Sequence, residues 1–398
     1  MMLNNTDLEG QRPSEFSAYW SLDPQITFLN HGSFGACPFP VLKAQEQVRQ
    51  KLEQEPVRFF VREFEPLLDQ ARDQLAQFVG VDGRDLVFVP NATTGVNSVL
   101  RSLRFNPGDE LLTTDHEYNA SRNALEFVAD RADARIVVAP VPFPIASKQE
   151  IVDAVMARVS EKTKLVLLDH ISSQTGLIFP LEEIIQQLSQ FGIETLIDGA
   201  HAPGMLPLNL SEIGATYYSG NCHKWLSAPK GAAFLYVKSS RQQQIRPLTI
   251  SHGANSPRTD KSRFQLEFDW MGTGDPSAYL SVPAAIQFMG SLLPGGWPEL
   301  MSRNHQLVLS ARQMLCQILG VEIPAPSEMI GSMACIPIPD GSVDELHDQL
   351  FDRHQIEVQV MPWPKSPQRV IRISAQIYNN FEQYQQLAAV LEQMLAIS

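Results

Sequence analysis

Short apolar runs alternate with amphipathic stretches through the middle of the chain. The runs that predict buried strands are residues 86–89, 110–115, 136–139, 165–168, 194–197 and 232–237. Between them, residues 94–104, 151–159 and 181–190 have the apolar period of a helix. Because alternating strands and helices form right-handed crossovers, the pattern predicts an α/β fold around a mostly parallel sheet. Such sheets bind ligands beyond the carboxyl ends of their strands.

The pattern changes in the last third of the chain. Longer helices surround a few strands from about Val282, and residues 371–374 predict one of those strands. The last helix places Tyr384, Leu387, Ala388, Leu391 and Leu395 on one face. We therefore predict a large domain over residues 21–280 and a smaller α+β C-terminal domain over residues 281–398. Residues 1–20 are expected to form an N-terminal segment that packs with the small domain.

Composition and charge exclude several classes of protein. The 398 residues are 44% hydrophobic and carry a net charge of −13 without a long basic run. Nucleic-acid binding is disfavoured, because phosphate contacts need clustered Lys and Arg. No apolar run is long enough to cross a bilayer, and residues 1–16 lack the pattern of a secretory signal. Four scattered cysteines without C-x-x-C spacing indicate a reduced, cytoplasmic protein without a structural metal.

Polar groups collect where the predicted strands end. Asp198 follows one strand and precedes His201, Asp169 and His170 end another, and His116 follows a third. A carboxylate at that place can hold a cationic ring nitrogen, a metal or a ribose hydroxyl, or simply cap a helix. Together these five residues could also hold the divalent metal of a hydrolase, which is one alternative function.

Two further segments carry chemistry. A lysine between a histidine and a tryptophan, at residues 223–225, is unusual on a surface. Partial burial would lower its pKa and make the amine a nucleophile, although a single lysine is more often a solvated charge. Residues 91–95 open a predicted helix with small residues whose free N–H groups suit an anion, although Asn91 or Thr93 could equally be an ordinary helix cap.

Eight segments, which follow one another in the same order as in the family, make the sequence resemble the class V aminotransferase family of pyridoxal 5′-phosphate (PLP) enzymes. Within that family it is most similar to the isopenicillin N epimerase-like group. The resemblance implies fold type I, with a seven-stranded, mostly parallel sheet in the large domain. The segments that carry it are FLNHGSFGACP (28–38), PNATTGVN (90–97), DHEYNA (115–120), DHISSQTG (169–176), IDGAHAPG (197–204), YYSGNCHKWLSAPKGAAFL (217–235), MGTGDPSAYLSVPAAI (271–286) and IRISAQIYN (371–379).

The resemblance also implies a role for each matching residue. Lys224 matches the lysine that forms a Schiff base with PLP, Asp198 matches the partner of the pyridine nitrogen, and His116 matches the group stacked on the ring. The remaining cofactor contacts that it implies are Ala92, Thr93, Ser173, Gln174, His201, Asn221 and His223. Thr273 and Gly274 match a segment that reaches the phosphate of a partner subunit, so a homodimer with its active site at the interface is expected.

The substrate side of the site is implied in the same way. Arg372 matches the arginine that binds a substrate α-carboxylate, and Asn30, His31 and Tyr118 are the further candidates for substrate contacts. Desulfurating relatives carry a catalytic cysteine shortly before that arginine, but residues 358–369 contain none. We therefore expect an amino-acid epimerase or racemase, with a cysteine or cystine C–S lyase and an aminotransferase as alternatives. A non-catalytic binding protein on the same fold is a further reading.

Overall fold

The computed structural model describes residues 14–395, in which helices and strands alternate as the sequence predicts. The strands are β1 (Thr27–Phe28), β2 (Leu86–Val89), β3 (Glu110–Thr114), β4 (Arg135–Ala139), β5 (Thr163–Asp169), β6 (Glu194–Asp198), β7 (Tyr217–Asn221), β8 (Ala233–Val237), β9 (Met333–Ile338), β10 (Ile356–Glu357), β11 (Gln359–Pro362) and β12 (Arg369–Ser374). The helices are α1 (His31–Phe34), α2 (Phe39–Gln54), α3 (Pro56–Arg58), α4 (Phe64–Val79), α5 (Ala92–Ser102), α6 (Asn119–Ala132), α7 (Lys148–Met156), α8 (Leu181–Gln190), α9 (Leu210–Ile213), α10 (Arg263–Asp269), α11 (Ser277–Leu280), α12 (Val282–Ser291), α13 (Gly296–Leu319), α14 (Val343–His354) and α15 (Phe381–Met394).

A seven-stranded sheet lies at the centre of the larger part of the fold. Its strand order is β2-β8-β7-β6-β5-β3-β4, and β8 runs antiparallel to both of its neighbours while the other pairs are parallel. The predicted α/β class and mostly parallel sheet are therefore confirmed. Side chains alternate between the two faces, so that Val87 and Val89 pack towards one core and Leu86 and Phe88 towards the other. Helices cover both faces of the sheet and exclude solvent from these strands, which explains why the strands are apolar throughout.

Within the seven-stranded sheet, the strand that the hydrophobic pattern misses is β7. Its sequence, YYSGN, contains too few aliphatic residues to stand out, yet all five positions are buried. The hydroxyl of Ser219 is satisfied inside the sheet, where it donates to the Phe234 carbonyl at 2.8 Å. A polar strand is tolerated here because its polar atoms find partners in the neighbouring strand.

The C-terminal part contains a second, antiparallel sheet. Its strand order is β11-β12-β9, and α13 and α15 pack together beside it. The predicted last helix is confirmed as α15, with Tyr384, Leu387, Ala388 and Leu391 buried. No helix among residues 14–395 is long and apolar enough to cross a membrane.

The start of the described chain contacts residues of this C-terminal part. The hydroxyl of Ser14 donates to the Ile377 carbonyl at 2.8 Å, and Trp20 packs edge-on against Tyr378. Residues 1–13 of the predicted N-terminal segment lie outside the described residues. The domain boundary near residue 280 stays a prediction and coincides with Ser281, between α11 and α12.

Candidate active site

Lys224 lies in the loop that follows β7, where two glycines allow other parts of the backbone to approach it closely. Gly35 has a φ of +68°, and a Cβ there would lie 2.1 Å from the His223 carbonyl oxygen. Gly204 has a φ of +86°, and a Cβ there would lie 2.5 Å from the carbonyl carbon of Trp225. Only glycine fits both the positive φ and the close approach. The two glycines therefore hold the lysine loop between α1 and the segment after β6.

The Lys224 amine contacts a buried histidine. Its Nζ lies 3.0 Å from Nε2 of His201, whose Nδ1 accepts a hydrogen bond from the indole N–H of Trp225 at 3.3 Å. Burial, followed by the nearby Arg372 charge, lowers the pKa of Lys224 to about 7. Burial also holds the pKa of His201 well below its ordinary value, so its ring is neutral. A deprotonated lysine amine near neutral pH is the nucleophile that an aldehyde requires.

Asp198 is the last residue of β6 and is fully enclosed. Its carboxylate accepts a hydrogen bond from the Ser121 hydroxyl at 2.7 Å and one from the Ala200 amide at 3.1 Å. No lysine or arginine within the described part of the chain forms an ion pair with it. Burial raises the pKa of this carboxyl, and its two hydrogen bonds and the Lys224 charge offset that effect only in part. The carboxylate therefore suits a cationic ring nitrogen that a ligand supplies.

Two further carboxyls lie beside Asp198, and the sequence reasoning did not assign them to the site. Oxygen atoms of Glu117, Asp169 and Asp198 lie within 4.8 Å of one another, and all three residues are buried. Asp169 was recognised only as a possible metal ligand, and Glu117 was missed. The available signals were that Asp169 ends a fully apolar run and that Glu117 directly follows His116.

His116 lies on the same side of the sheet, and both of its ring nitrogens are used. Its Nε2 donates to the Val141 carbonyl at 3.0 Å, and its Nδ1 lies 2.8 Å from the Thr175 hydroxyl. The ring is fully buried and meets Trp363 edge-on at 4.4 Å. This geometry fixes the plane of the ring, as a stacking role needs. It leaves no ring nitrogen for proton transfer.

The predicted anion site is at the start of α5. Asn91 caps the helix by accepting from the Thr94 amide at 2.8 Å, so the helix-cap reading of Asn91 is correct. The Asn221 side chain accepts from the Ala92 amide at 2.8 Å and so joins β7 to this helix. Among residues 14–395, neither the amide nor the hydroxyl of Thr93 has a hydrogen-bond partner. A helix N-terminus with a free amide and hydroxyl fits a phosphate group.

His223 lies on the same loop as Lys224 and is half-buried. Its Nδ1 donates to the Ala232 carbonyl at 3.2 Å, and its Nε2 has no partner within the described chain. Burial lowers the pKa of its ring to about 4.

Arg372 lies in β12 and is buried without a carboxylate partner among the described residues. Its guanidinium donates to the Ser33 hydroxyl at 3.1 Å and to the carbonyl of Ser173, while its Nε has no partner. Asn30 lies 3.5 Å from the same guanidinium through its side-chain oxygen. Burial lowers the pKa of Arg372 to about 10, which leaves the group charged. A buried cation with an unused N–H fits an incoming carboxylate.

The other predicted substrate residues differ in accessibility. His31 is completely buried, and its Nε2 donates to the Lys224 carbonyl at 3.1 Å, so the ring supports the lysine loop. The Tyr118 side chain is 41% exposed, and no hydrogen bond within the described chain involves its hydroxyl. Gln174 is half-buried, and its side-chain oxygen has no partner. Thr273 and Gly274 are exposed, and no hydrogen bond joins them to the residues around Lys224.

The geometry does not gather the metal ligands that the sequence indicated. In residues 14–395, the group of side chains close enough to share an ion consists of Glu117, Asp169 and Asp198, without a histidine. The imidazoles of His116 and His201 are instead hydrogen-bonded to protein groups. The predicted five-residue set is therefore not supported as a metal site.

The residues present fit PLP on the chemistry of their donors. A free amine lies near a carboxylate without a cation, an open helix N-terminus can take a phosphate, and a buried guanidinium lacks an anion. Each of these groups has one unmet requirement, and PLP with an amino acid would meet all four.

The fold and these residues define a PLP-dependent enzyme, and comparisons with known proteins agree. Residues 38–387 match the sequence model of the family "Aminotransferase class-V". The chain is 35% identical to the isopenicillin N epimerase of Streptomyces clavuligerus over 93% of this chain and 95% of that protein. The protein belongs to this family of PLP-dependent enzymes.

Lyases of sulfur amino acids are also similar. The chain is 29% identical to a probable chloroplastic L-cysteine desulfhydrase of Arabidopsis thaliana, over 94% of this chain and 83% of that one. A solved structure of a C-DES mutant, with glycine covalently linked to its PLP cofactor, superposes with a TM-score of 0.79 at 23% identity. That superposition covers 94% of this chain and 98% of the other. It supports fold type I.

Proposed function

We propose that this protein moves the proton on Cα of an α-amino acid and that the reaction is an epimerisation. The observation that carries the proposal is the Lys224 amine, which lies 3.0 Å from His201 and whose pKa burial lowers to about 7. An amine in that state can attach PLP and can later accept a proton from a substrate carbon. The 35% identity to an isopenicillin N epimerase favours epimerisation over other reactions at Cα.

PLP would be held by five sets of residues. Lys224 would form a Schiff base with it, and Asp198 would hold the proton of its pyridine nitrogen. Ala92, Thr93, Asn221 and His223 would surround its phosphate, while His116 would lie against its ring and His201 beside its 3′-oxygen, near Ser173 and Gln174. When bound, PLP supplies an electron sink for the charge that develops at Cα. The protein's own part is to orient the substrate and to move protons.

Arg372 would orient the substrate by its carboxylate. The guanidinium lies in a rigid strand and is held by the Ser173 carbonyl and the Ser33 hydroxyl, so its unused N–H has a fixed direction. A charged hydrogen bond from this N–H to a carboxylate would restrict rotation about the bonds of Cα. The fixed direction would select the C–H bond for cleavage.

Epimerisation needs a second proton donor, on the face opposite Lys224. The candidates are His116, His170 and Tyr118. His116 has both ring nitrogens occupied, and the Nδ1 of His170 lies 2.9 Å from the buried Tyr218 hydroxyl. Tyr118 has an accessible hydroxyl without a partner among the described residues. Tyr118 is therefore our candidate for the second proton donor.

We further propose that the active site is completed in a homodimer. Several large apolar side chains are exposed, namely Phe34 (75%), Val57 (70%), Val61 (74%) and Ile250 (56%), and Phe34 lies beside the site. Phe34 directly precedes Gly35, which touches the Lys224 loop. An apolar surface that borders the site suits a partner subunit. Thr273 and Gly274, exposed here, would then reach the partner's phosphate site.

A C–S lyase is the second candidate, and similarity to an L-cysteine desulfhydrase favours it. Desulfurase chemistry requires a reactive cysteine thiol, and no cysteine within residues 14–395 suits that role. Cys335 is buried opposite Arg372 in the small sheet, and burial raises its pKa to about 12. Burial likewise raises the pKa of Cys222, Cys37 and Cys316 above the ordinary value. Simple β-elimination, which needs no thiol, stays as the alternative, and transamination comes third.

One experiment in D₂O separates these reactions. Each member of a panel of L-amino acids, including cysteine and cystine, is incubated with the holoenzyme, and so is isopenicillin N, which the name of the similar epimerase supplies. Epimerisation gives the D-isomer with deuterium at Cα and no keto acid. Elimination gives ammonia, pyruvate and the sulfur product, whereas transamination stops without an amino acceptor. Stoichiometric pyruvate with no D-isomer from any substrate would contradict our proposal.

The attachment of PLP has its own test. Lys224→Ala is expected to fold but to lose PLP that borohydride can trap, because no other amine occupies that position. Lys230→Ala, on the same loop, serves as the matched control and should keep the trapped cofactor. Trapped PLP in the Lys224→Ala protein would overturn the assignment.

A further inference from the structure

The three carboxyls at the end of the sheet are too close to ionise together. Oxygen atoms of Glu117, Asp169 and Asp198 lie within 4.8 Å of one another, and their exposed fractions are 5%, 2% and 2%. Three negative charges at that separation, out of contact with water, repel one another strongly, and burial raises the pKa of each of the three carboxyls. At least one of these carboxyls must therefore keep its proton.

The charged and titratable groups around the cluster do not neutralise it. The charged and titratable groups that act on it are Arg122 on α6, Lys224 in the loop after β7 and Tyr218 on β7, while His116 directly precedes Glu117 in the chain. The backbone amide of Tyr118 also faces Glu117 and Asp169. The Arg122 guanidinium is paired with Glu126, and the Lys224 amine is largely neutral above about pH 7. Tyr218 and His116 are neutral, because burial shifts their pKa values away from the charged form.

The hydrogen bonds point to where the proton lies. Asp198 uses both oxygens, which accept from Ser121 and Ala200. Glu117 accepts from the Thr113 hydroxyl at 3.0 Å through one oxygen, but its other oxygen, Oε1, has no partner. Oδ2 of Asp169 is likewise buried without a partner. Two unpartnered carboxyl oxygens in one buried cluster fit protonated groups, because a neutral carboxyl is buried at much lower cost than a carboxylate without partners.

We propose that Glu117, Asp169 and Asp198 act as one proton-sharing cluster, in which Asp198 is ionised and Glu117 and Asp169 hold protons, and that this cluster sets the charge facing the pyridine nitrogen. This role rests on the proposed function, since it places PLP against Asp198. The proton sharing itself does not, because it belongs to the protein alone. Glu117 and Asp169 are thus positioning residues for charge, acting through Asp198.

The cluster would make that charge depend on pH. Burial, and then the nearby Asp198, raise the pKa of Glu117 to about 8, and burial with Glu117 raises the pKa of Asp169. When the pH rises through about 8, Glu117 releases its proton to water and becomes a carboxylate. A second negative charge then lies beside Asp198 and holds the pyridine proton more tightly. In acid the cluster keeps its protons and carries a smaller charge.

The proton is measured directly by infrared difference spectroscopy of the apo-protein and the holoenzyme, titrated across pH 8. The wild type is expected to show the carbonyl stretch of buried carboxylic acids below pH 8 and to lose part of it above. Glu117→Gln should remove one such band, and the double variant with Asp169→Asn should remove both. Glu267→Gln is the matched control, because Glu267 is also buried but is paired with Arg246 and Arg263. It should leave the bands unchanged.

The stability of the apo-protein gives a second measurement. A carboxyl whose folded pKa exceeds its unfolded value destabilises the protein as pH rises between the two values, here from about 4.5 to about 8. Glu117→Gln removes this dependence of stability on pH. The difference in Tm between the variant and the wild type should therefore increase, in favour of the variant, as pH rises over this interval. In the wild-type holoenzyme, the affinity for PLP should change as the pH passes through about 8. In Glu117→Gln, this pH dependence should disappear. A purely structural Glu117 would alter Tm equally at every pH.

The outcomes distinguish this proposal from the proposed function. If neither substitution removes a carboxylic-acid band in the apo-protein, the cluster is fully ionised and our inference is overturned, whether or not the enzyme binds PLP. If Mg²⁺ or Ca²⁺ displaces the bands at neutral pH, the cluster is a cation site, which also overturns it. If the bands behave as expected but PLP does not bind, the proton sharing stands and the role towards PLP fails.

Discussion

The indole N–H of Trp225 donates to Nδ1 of His201 at 3.3 Å, and this single contact decides where the imidazole carries its proton. An indole nitrogen can only donate, so Nδ1 must accept, and the proton of the neutral ring lies on Nε2. That N–H faces Nζ of Lys224 at 3.0 Å, where a neutral amine can accept it and an ammonium cannot. Trp225 therefore favours the free amine of Lys224.

Trp225→Phe tests this relationship, since it keeps an aromatic ring and removes the donor. The imidazole can then move its proton to Nδ1 and accept from the ammonium, so the pKa of Lys224 should rise from about 7. The loss of one hydrogen bond is about 0.5–1.5 kcal/mol, or roughly half a pKa unit to one unit. The pH dependence of PLP capture by the apo-protein measures the shift.

The control for this substitution is the same change in a His201→Gln background. Glutamine has no tautomers, so Trp225→Phe should leave the pKa of Lys224 almost unchanged there. An equal shift in both backgrounds would show that Trp225 acts only through packing.

The wild-type rate of PLP capture should itself depend on pH in a defined way. A folded-state pKa of about 7 means that the Lys224 amine is protonated below that value and free above it. The capture rate should therefore rise as pH increases through about 7 and then level off. An unburied lysine would continue to gain rate towards its ordinary pKa of 10.5. Stopped-flow absorbance of apo-protein mixed with PLP gives the midpoint, and a midpoint near 10 would contradict the assigned burial effect.

The hydrophobic pattern predicted those parts of the fold that are apolar on their own. Residues 181–190 are α8 as predicted, and strands such as β5 and β6 differ from the prediction by only a few residues. The pattern missed β7 because Ser219 and Gly220 interrupt it, although this strand carries Asn221 into the site. Its burial depends on Phe234 in the neighbouring strand, and a contact between distant residues has no local signal.

The candidate site shows the same limit. Ordered motifs indicated the positions of Lys224, Asp198 and Arg372, because the first two lie at or just beyond a strand end and Arg372 is a charged residue within an apolar strand. The sequence could not show that Glu117 would lie beside Asp169, since that proximity arises from the pairing of β3, β5 and β6. The sequence also could not show whether His31 contacts a ligand or supports the Lys224 carbonyl, because that depends on how α1 packs.

Arg372→Lys should weaken catalysis in both kinetic parameters. A lysine cannot keep a hydrogen bond to the Ser173 carbonyl and also make a planar contact with a carboxylate. The loss for a buried charged pair is about 2–5 kcal/mol, which lowers kcat/KM by roughly thirty-fold or more. KM should rise and kcat should fall, because a misoriented Cα bond raises the transition state.

Arg312→Lys is the matched control for this change. Arg312 is another buried arginine, but it donates to the Ala325 carbonyl and lies on α13. Its substitution should change stability and leave KM unaltered. If Arg372→Lys also leaves kcat/KM unaltered, the carboxylate is bound elsewhere.

The proposed dimer predicts how Thr273 and Phe34 respond to substitution. Phe34→Glu introduces charge into the exposed apolar surface beside the site and should shift the holoenzyme towards monomer in sedimentation. Thr273→Ala should keep the dimer but weaken PLP binding, because it would remove one contact to the partner's phosphate. Phe191→Glu is the control, as Phe191 is 65% exposed at the end of α8. A wild-type holoenzyme that sediments as a monomer at micromolar concentration would refute the dimer.

Tyr118→Phe separates the two proton transfers of the proposed epimerisation. Lys224 would still remove and return the Cα proton on its own face, so an L-substrate should exchange its α-hydrogen with D₂O at close to the wild-type rate. Inversion needs a proton from the other face, and the phenylalanine has none to give. The D-isomer should therefore form at least about a hundred-fold more slowly, which is the usual contribution of a general acid. Nuclear magnetic resonance follows the exchange, and chiral chromatography follows the inversion.

His170→Asn is the matched comparison, because the His170 ring is bonded to Tyr218 within the sheet. If His170→Asn abolishes inversion and Tyr118→Phe does not, the second donor is His170. Equal loss of exchange and inversion in Tyr118→Phe would place Tyr118 in substrate binding alone.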